Sequence, residues 1–177
     1  MSDFHNLIER EIPRLRRYAR ALTRSADRAD DLVQETLLRA VAKCHLWQTG
    51  TDIRAWLFTI MHNQYVNMVR RAIREKATVD IDQMSSSLIA TTDPTGSRQL
   101  RELERALGFL PGEQREVILL VGLEGMSYES AAQILRVPVG TVRSRLSRGR
   151  DALRRLMDLR EGAAASAVAR AATALVA

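Results

Sequence analysis

The side chains best suited to chemistry in this chain form a basic set. Between Ile134 and Arg155 stand seven arginines and one acidic residue, Asp151, a local charge of +6 that equals the formal charge of all 177 residues. In a helix over this stretch Val142, Leu146, Gly149, Leu153 and Leu156 recur at i, i+4, i+7, i+11 and i+14, one narrow buried stripe. Arg143, Ser144, Ser147 and Arg148 fall elsewhere, near the N-terminal half of the helix. Arginine reads a guanine edge through two parallel hydrogen bonds, and serine contacts bases or phosphates. Arg145, Arg150, Arg154 and Arg155 are better placed for phosphates or solvent. The chemistry is recognition of a polyanion, with no bond made or broken.

Covalent chemistry finds no support. His5, His45 and His62 are not arranged with any Ser, Cys or Asp signature. Cys44 is the single cysteine, so no disulfide forms within the chain, and Cys44-His45 reads as a half-buried helix end. Asp30 and Asp31 point about 100° apart on a helix, which suits a charged surface better than acid/base work. Neither a metal-spaced Cys/His set nor a glycine-rich phosphate loop is present, so the chain is expected to be non-catalytic, without metal or cofactor.

The elements that position the basic set are helical. Ala, Leu and Arg dominate, hydrophobic residues make up 46%, and aromatics only 5%. Lys43 and Lys76 are the only lysines among 27 basic residues. An all-α chain of two small domains joined by a flexible linker is expected. Residues 1–74 carry +5, 75–98 carry −2, 99–160 carry +3, and the tail is neutral. Glu75 to Ser97 lacks periodicity, holds a serine run and Asp93-Pro94, and predicts the linker. The expected divisions are 1–74, a linker over 75–97, a second domain over 98–160, and an Ala-rich tail over 161–177, either frayed helix or disorder.

In the first domain Phe4, Leu7/Ile8, Ile12, Leu15, Tyr18/Ala19 and Leu22 mark a helix that Pro13 should kink or divide. Ser25 or Asp27 caps a second helix to about Lys43. WQTGT is a turn, and Asp52 caps a third helix, Ile53 to about Arg74. In the second domain Leu100, Leu103, Leu107 and Leu110 keep register, and Pro111 opens the next helix, which Gly125 ends. Ser127 caps Tyr128 to Leu135, Arg136-Val137-Pro138 turns the chain, and the last helix runs from Gly140 to about Leu159. Small residues Ala131 and Ala132, a short turn and a one-sided charge make this a helix-turn-helix for duplex DNA.

The third helix, DIRAWLFTIMHNQYVNMVRR, leaves two readings open. One stripe holds Ile53, Trp56/Leu57, Ile60, Asn63/Gln64 and Asn67, and another Arg54, Phe58, Met61/His62, Tyr65 and Val69. The second stripe either offers aromatic and basic groups to unstacked bases or buries Phe58 and Tyr65 in a core.

Residues 110–157, LPGEQREVILLVGLEGMSYESAAQILRVPVGTVRSRLSRGRDALRRLM, resemble the sigma-4 domain of bacterial sigma-70 family factors, closest to the extracytoplasmic function (ECF) group. LuxR-type response regulators carry a similar helix-turn-helix. The N-terminal half decides between them, because DDLVQETLLRAV and WQTGTDIRAWLFTIMHNQYVNMVRR resemble the ECF sigma-2 domain. Together the two blocks cover about residues 5–74 and 98–158.

The resemblance implies a promoter-specific initiation factor that works with core RNA polymerase. It implies that Asp31, Gln34, Glu35 and Leu38 meet the β′ clamp coiled coil, and that the β flap is a second contact. It implies that Gln48, Thr49, Gly50 and Thr51 with Asn63 capture the melted −10 element while Arg54, Arg70 and Arg71 grip its backbone. It implies −35 reading through Gly140, Thr141, Arg143, Ser144, Ser147 and Arg148. An anti-sigma factor is an expected partner, with Leu38 and Phe58 as exposed apolar groups for it to mask. Thr59 and His62 stand where basic or small residues are common in the family. The start of the chain does not read as a signal peptide, and no apolar run reaches the roughly 18 residues of a membrane helix, so a soluble cytoplasmic protein is expected.

Overall fold

The computed structural model describes residues 2–48, 50–78 and 98–175. Among the described residues seven α-helices follow in order: α1 (Ser2–Thr23), α2 (Ala26–Ala42), α3 (Ile53–Thr78), α4 (Arg98–Phe109), α5 (Gly112–Ile118), α6 (Tyr128–Leu135) and α7 (Val139–Leu175). A 3₁₀ turn, Cys44–Leu46, follows α2, and a π-helical turn, Leu119–Leu123, continues α5. The fold is all-α, with no strand among the described residues.

In the N-terminal half α1 packs on α2 and α2 on α3. Leu15, Tyr18, Ala19 and Leu22 of α1 meet Ala29, Leu32, Val33 and Thr36 of α2 and Leu57, Phe58 and Met61 of α3, all buried. Ser25 caps α2, its Oγ accepting from the Arg28 amide at 3.4 Å. Thr36 satisfies its buried hydroxyl by donating to the Leu32 carbonyl at 2.7 Å. Of the kink or division expected at Pro13, the division does not occur, and α1 runs through the proline. Pro13 faces solvent. Phe4 and Ile8 before it and Leu15 and Tyr18 after it are buried in the same core, and that packing outweighs the roughly 3 kcal/mol helix penalty of an internal proline.

In the C-terminal half α4, α5 and α6 all pack on α7. Val117, Leu120, Ala131, Ile134, Val142 and Leu146 form its centre. Gly149 is the point of closest approach. A Cβ there would lie 2.7 Å from Ile118 Cδ1 and 3.2 Å from Gln114 Cβ, so only hydrogen lets α7 settle on α5. The last helix is longer than expected, continuing to Leu175, because the helix propensity of the Ala-rich sequence outweighs the cost of its one glycine, Gly162, and no proline interrupts it. The first turn of the 75–97 linker extends α3 to Thr78, and residues 79–97 lie outside the described residues.

The two halves are packed against each other, α3 on α6 and α1 on the π turn. Arg115 donates to the Leu107, Gly108 and Leu110 carbonyls at the end of α4, at 2.9, 3.1 and 2.9 Å. Its other arm reaches the Leu22 carbonyl at the end of α1, at 3.4 Å. One guanidinium thus caps the negative ends of two helices from different halves.

Candidate nucleic-acid interface

The helix-turn-helix is built by short-range signals. Ser127 Oγ accepts from the Ser130 amide at 3.0 Å and starts α6. Arg136 ends it in a left-handed conformation, φ 54° and ψ 46°, with its amide turned back to the Ala132 and Gln133 carbonyls. Pro138 then opens α7, accepting from the Thr141 and Val142 amides at 2.9 and 3.2 Å. Val142 and Leu146 are buried against α5 and α6, and this fixes which face of α7 remains outward.

That face carries the candidate −35 residues. Gly140, Arg143, Ser144, Ser147 and Arg148 are exposed, and Thr141 is half-buried. Arg143 lies over the Tyr128 ring, 5.8 Å from its centroid. Arg148 is folded along its own helix, donating to the Ser144 carbonyl at 3.3 Å. Neither arginine has a carboxylate partner among the described residues. Arg145 is different: it turns away to pair with Glu113 at 2.7 Å.

The candidate strand-capturing residues are arranged less openly. Phe4 packs on Trp47 and Trp56, with ring centroids 5.4 and 6.0 Å apart, which seats the loop between α2 and α3. In that loop Thr51 donates to the Gln48 carbonyl at 2.7 Å, and Gly50 adopts φ +93°. Thr49 lies outside the described residues. Asp52 caps α3, accepting from the Arg54 and Ala55 amides at 2.9 and 3.1 Å. Asn63 is half-buried on α3, while Arg70 and Arg71 are exposed and Arg71 pairs with Glu75 at 2.7 Å. Arg54 faces the other half of the molecule and donates to the Glu124 carbonyl at 2.5 Å.

Phe58 corrects the expectation of an exposed apolar group, being 1% exposed with its ring edge on Tyr18, centroids 5.0 Å apart. The core reading of that stripe holds for Phe58 because α3 is covered on two sides. Leu38 is 67% exposed.

The residues that sequence reasoning missed join the halves. The Glu124 carboxylate is fully buried and takes two hydrogen bonds from Arg17, at 2.9 and 3.2 Å. Arg54 stands in ion-pair range of Glu124 Oε2 at 3.8 Å and of Glu11 at 3.9 Å, without hydrogen-bond alignment at either. His62 Nδ1 lies 2.9 Å from Glu116 Oε2, close but off the line of a hydrogen bond. Burial raises the Tyr18 hydroxyl well above its usual range, and the nearby charge of Glu116 adds to this. Tyr65 is raised for the same two reasons, with Arg115 opposing.

Comparison with known proteins places both halves. Residues 8–62 match the description "Sigma2 domain of PhyR", and residues 100–153 match "Sigma-70, region 4". The ECF RNA polymerase sigma factor EcfG of Rhodopseudomonas palustris (strain TIE-1) is 43% identical over 146 residues, 82% of this chain and 80% of that one. The ECF sigma factor SigC of Mycobacterium tuberculosis (strain CDC 1551 / Oshkosh) is 34% identical over 125 residues, 71% and 68% of the two chains. Among solved structures, RpoE in complex with the anti-sigma factor NepR from Bartonella quintana is 36% identical with a TM-score of 0.75, covering 89% of this chain and 98% of that one. CnrH in complex with the cytosolic domain of CnrY is 29% identical with a TM-score of 0.66, covering 88% of each. With both regions in order and relatives matched over most of their length, the chain belongs to the ECF family of RNA polymerase sigma factors.

Proposed function

We propose that this chain is a non-catalytic initiation subunit that joins core RNA polymerase in the cytoplasm and directs transcription from promoters with a −35 and a −10 element. One observation carries the reading: the segment matching sigma-70 region 4 holds a helix-turn-helix whose α7 presents Arg143, Ser144, Ser147 and Arg148 outward, without carboxylate partners among the described residues. Residues 98–160 read the duplex −35 element through these side chains with Gly140 and Thr141. Residues 1–74 bind polymerase through Asp31, Gln34, Glu35 and Leu38, and take extruded −10 bases at Gln48–Thr51 and Asn63. Trapping those bases offsets an unstacking cost of a few kcal/mol. Exposure of Asp31, Gln34 and Leu38 on one side of α2 supports the polymerase surface.

The two elements are separated by roughly 25 base steps, about 85 Å of duplex axis. Here α3 touches α6. Reading both elements at once therefore requires the halves to part. Control by an anti-sigma factor fits the solved complex of RpoE with the anti-sigma factor NepR.

The direct test is in vitro transcription with purified core polymerase on a library of promoter templates. A promoter-dependent transcript that disappears with Arg143→Ala supports the reading. Failure to form a complex with core polymerase overturns it. A second reading has one observation in its favour: the description matched by residues 8–62 is that of PhyR, which occurs in solved structures as an anti-anti-sigma factor with NepR. A sigma mimic of that kind would capture an anti-sigma factor and leave promoter DNA unbound in a gel shift with core polymerase.

A further inference from the structure

Arg143 and Arg148, the two arginines assigned to the −35 element, are held in different ways. Arg148 lies along α7, its Nε donating to the Ser144 carbonyl at 3.3 Å and its Nη2 to the Ser144 hydroxyl at 3.4 Å. A guanine edge takes such donors, so Arg148 must release them before it reads. Arg143 donates no side-chain hydrogen bond among the described residues. Its guanidinium carbon lies 5.8 Å from the centre of the Tyr128 ring. That is within the roughly 6 Å over which an aromatic face attracts a cation.

The ring is anchored without help from Arg143. Tyr128 is the first residue of α6, directly after the Ser127 cap, whose Oγ accepts from the Ser130 amide at 3.0 Å. It is half-buried and packs against the buried core. Ring and cation therefore come from different helices of the helix-turn-helix, and their contact crosses the turn at Arg136-Val137-Pro138. No carboxylate partner competes for Arg143 among the described residues, and the nearby Glu113 is taken by Arg145 at 2.7 Å.

The contact suits a base reader. An exposed arginine samples many rotamers and gives up that freedom when it binds. A ring face holds the cation without using any of its five N–H donors, so the same contact persists while the edge of the guanidinium meets a base. The attraction also strengthens when DNA covers it and excludes water.

We propose that Tyr128 is a positioning residue for −35 reading, its ring holding the Arg143 guanidinium in place for a guanine edge. This rests on the reading of Arg143 as a −35 contact and adds to it a determinant that lies outside the recognition helix.

The test measures binding of the full chain, assembled with core polymerase, to a promoter duplex and to duplexes substituted one base pair at a time across the −35 element. Tyr128→Leu should weaken the promoter about two- to fivefold, the worth of one cation–ring contact. The loss should vanish in an Arg143→Ala background and on duplexes substituted at the base pair that Arg143 reads. Tyr128→Phe keeps the ring and should bind as the parent does. In the free chain, nuclear magnetic resonance should show the Arg143 δ-methylene displaced by the ring, with the displacement kept in Tyr128→Phe and lost in Tyr128→Leu. The Phe variant and this free-chain measurement separate positioning from a loss of fold. Arg143→Ala harmful with Tyr128→Leu silent overturns the proposal and leaves the −35 reading standing. So does a Tyr128→Leu loss that persists undiminished beside Arg143→Ala, which would make the ring a separate contact or a structural prop. A loss in Tyr128→Phe equal to that in Tyr128→Leu assigns the effect to the hydroxyl and overturns the proposal as well. Arg143→Ala silent on every duplex overturns the −35 reading of that arginine and the positioning role with it.

Discussion

The two candidate DNA-reading helices, α7 and α3, differ in what already occupies them. On α7 the side chains that would read a duplex are outward and held only by contacts within the helix-turn-helix, Arg148 on Ser144 and Arg143 over the Tyr128 ring, because one buried stripe fixes the helix and leaves the opposite face toward solvent. On α3 the candidates are divided. Arg54 is turned to Glu124, Arg71 to Glu75, and Asn63 lines a groove that Arg136 of the other half also lines. A helix covered on one side can be a reader as it stands. A helix covered on two sides becomes one only after something lets go. The contacts between halves therefore belong to function as much as to stability.

The sharpest way to break this comparison is Glu124→Ala. It removes the buried carboxylate that Arg17 and Arg54 share. Loss of one partner from a fully buried pair costs about 3–5 kcal/mol, and because Arg17 is half exposed the expected loss is about 2–3 kcal/mol. Denaturant unfolding reads the loss, small-angle scattering should show a larger radius, and a single-stranded −10 oligonucleotide should bind more tightly. An unchanged radius with unchanged strand affinity would mean that closure does not govern α3.

Arg143→Ala and Arg148→Ala probe the open helix. Each should weaken recognition of a −35 duplex by roughly 1–3 kcal/mol if it makes a bidentate base contact. The loss should depend on sequence, and capture of the single strand should stay as it was. A uniform loss across all duplexes, with a shallower salt dependence, would reassign the residue to phosphate contact.

Gly149→Ala asks how much the open helix owes to its seat. The added methyl meets Ile118 Cδ1, which can swing aside, and Gln114 Cβ, which cannot. Overpacking of this kind costs about 1–3 kcal/mol. Thermal unfolding should register it together with a fall in duplex affinity, while single-strand binding remains. Equal loss on both substrates would show that the halves do not act separately.

The sequence was most legible where a signal is local. Ser25, Asp52 and Ser127 cap the helices assigned to them, and the stripe of Val142, Leu146 and Gly149 is buried as its spacing predicts. It was least legible where the cause is contact between distant segments. The division at Pro13 and the exposure of Phe58 fail for that reason, one argued from helix propensity alone and the other from family resemblance. Glu124 did leave a trace, a lone carboxylate in the apolar run LLVGLEGM, which demands either solvent or a cation. No periodicity could name Arg17 as that cation, 107 residues away. The site residues divide in the same way. Those on α7 could be placed by register, whereas the environment of those on α3 depends on the packing of the other half.

The smallest effect concerns alkaline pH and tests the same junction from inside. Tyr18 lies fully buried between the halves' helices, with Glu116 and Glu124 of the C-terminal half among the charges acting on it. Its hydroxyl is raised above the usual value of about 10, so the folded state holds the proton after the unfolded chain has released it. Between those two values the unfolded state binds fewer protons, and stability falls as pH rises. The stability of the chain should thus be level near neutrality on this account and decline from about pH 10 upward. Tyr65, raised in the same direction, contributes a second and smaller part because it is less buried. Tyr18→Phe removes the titrating group, keeps the ring edge against Phe58, and should flatten the decline without abolishing it. In a variant already opened by Glu124→Ala, Tyr18 loses one of its charged neighbours and some of its burial. The alkaline slope should then be shallower before Tyr18 is touched, and an identical slope in both backgrounds would place the tyrosine's environment wholly within the N-terminal half.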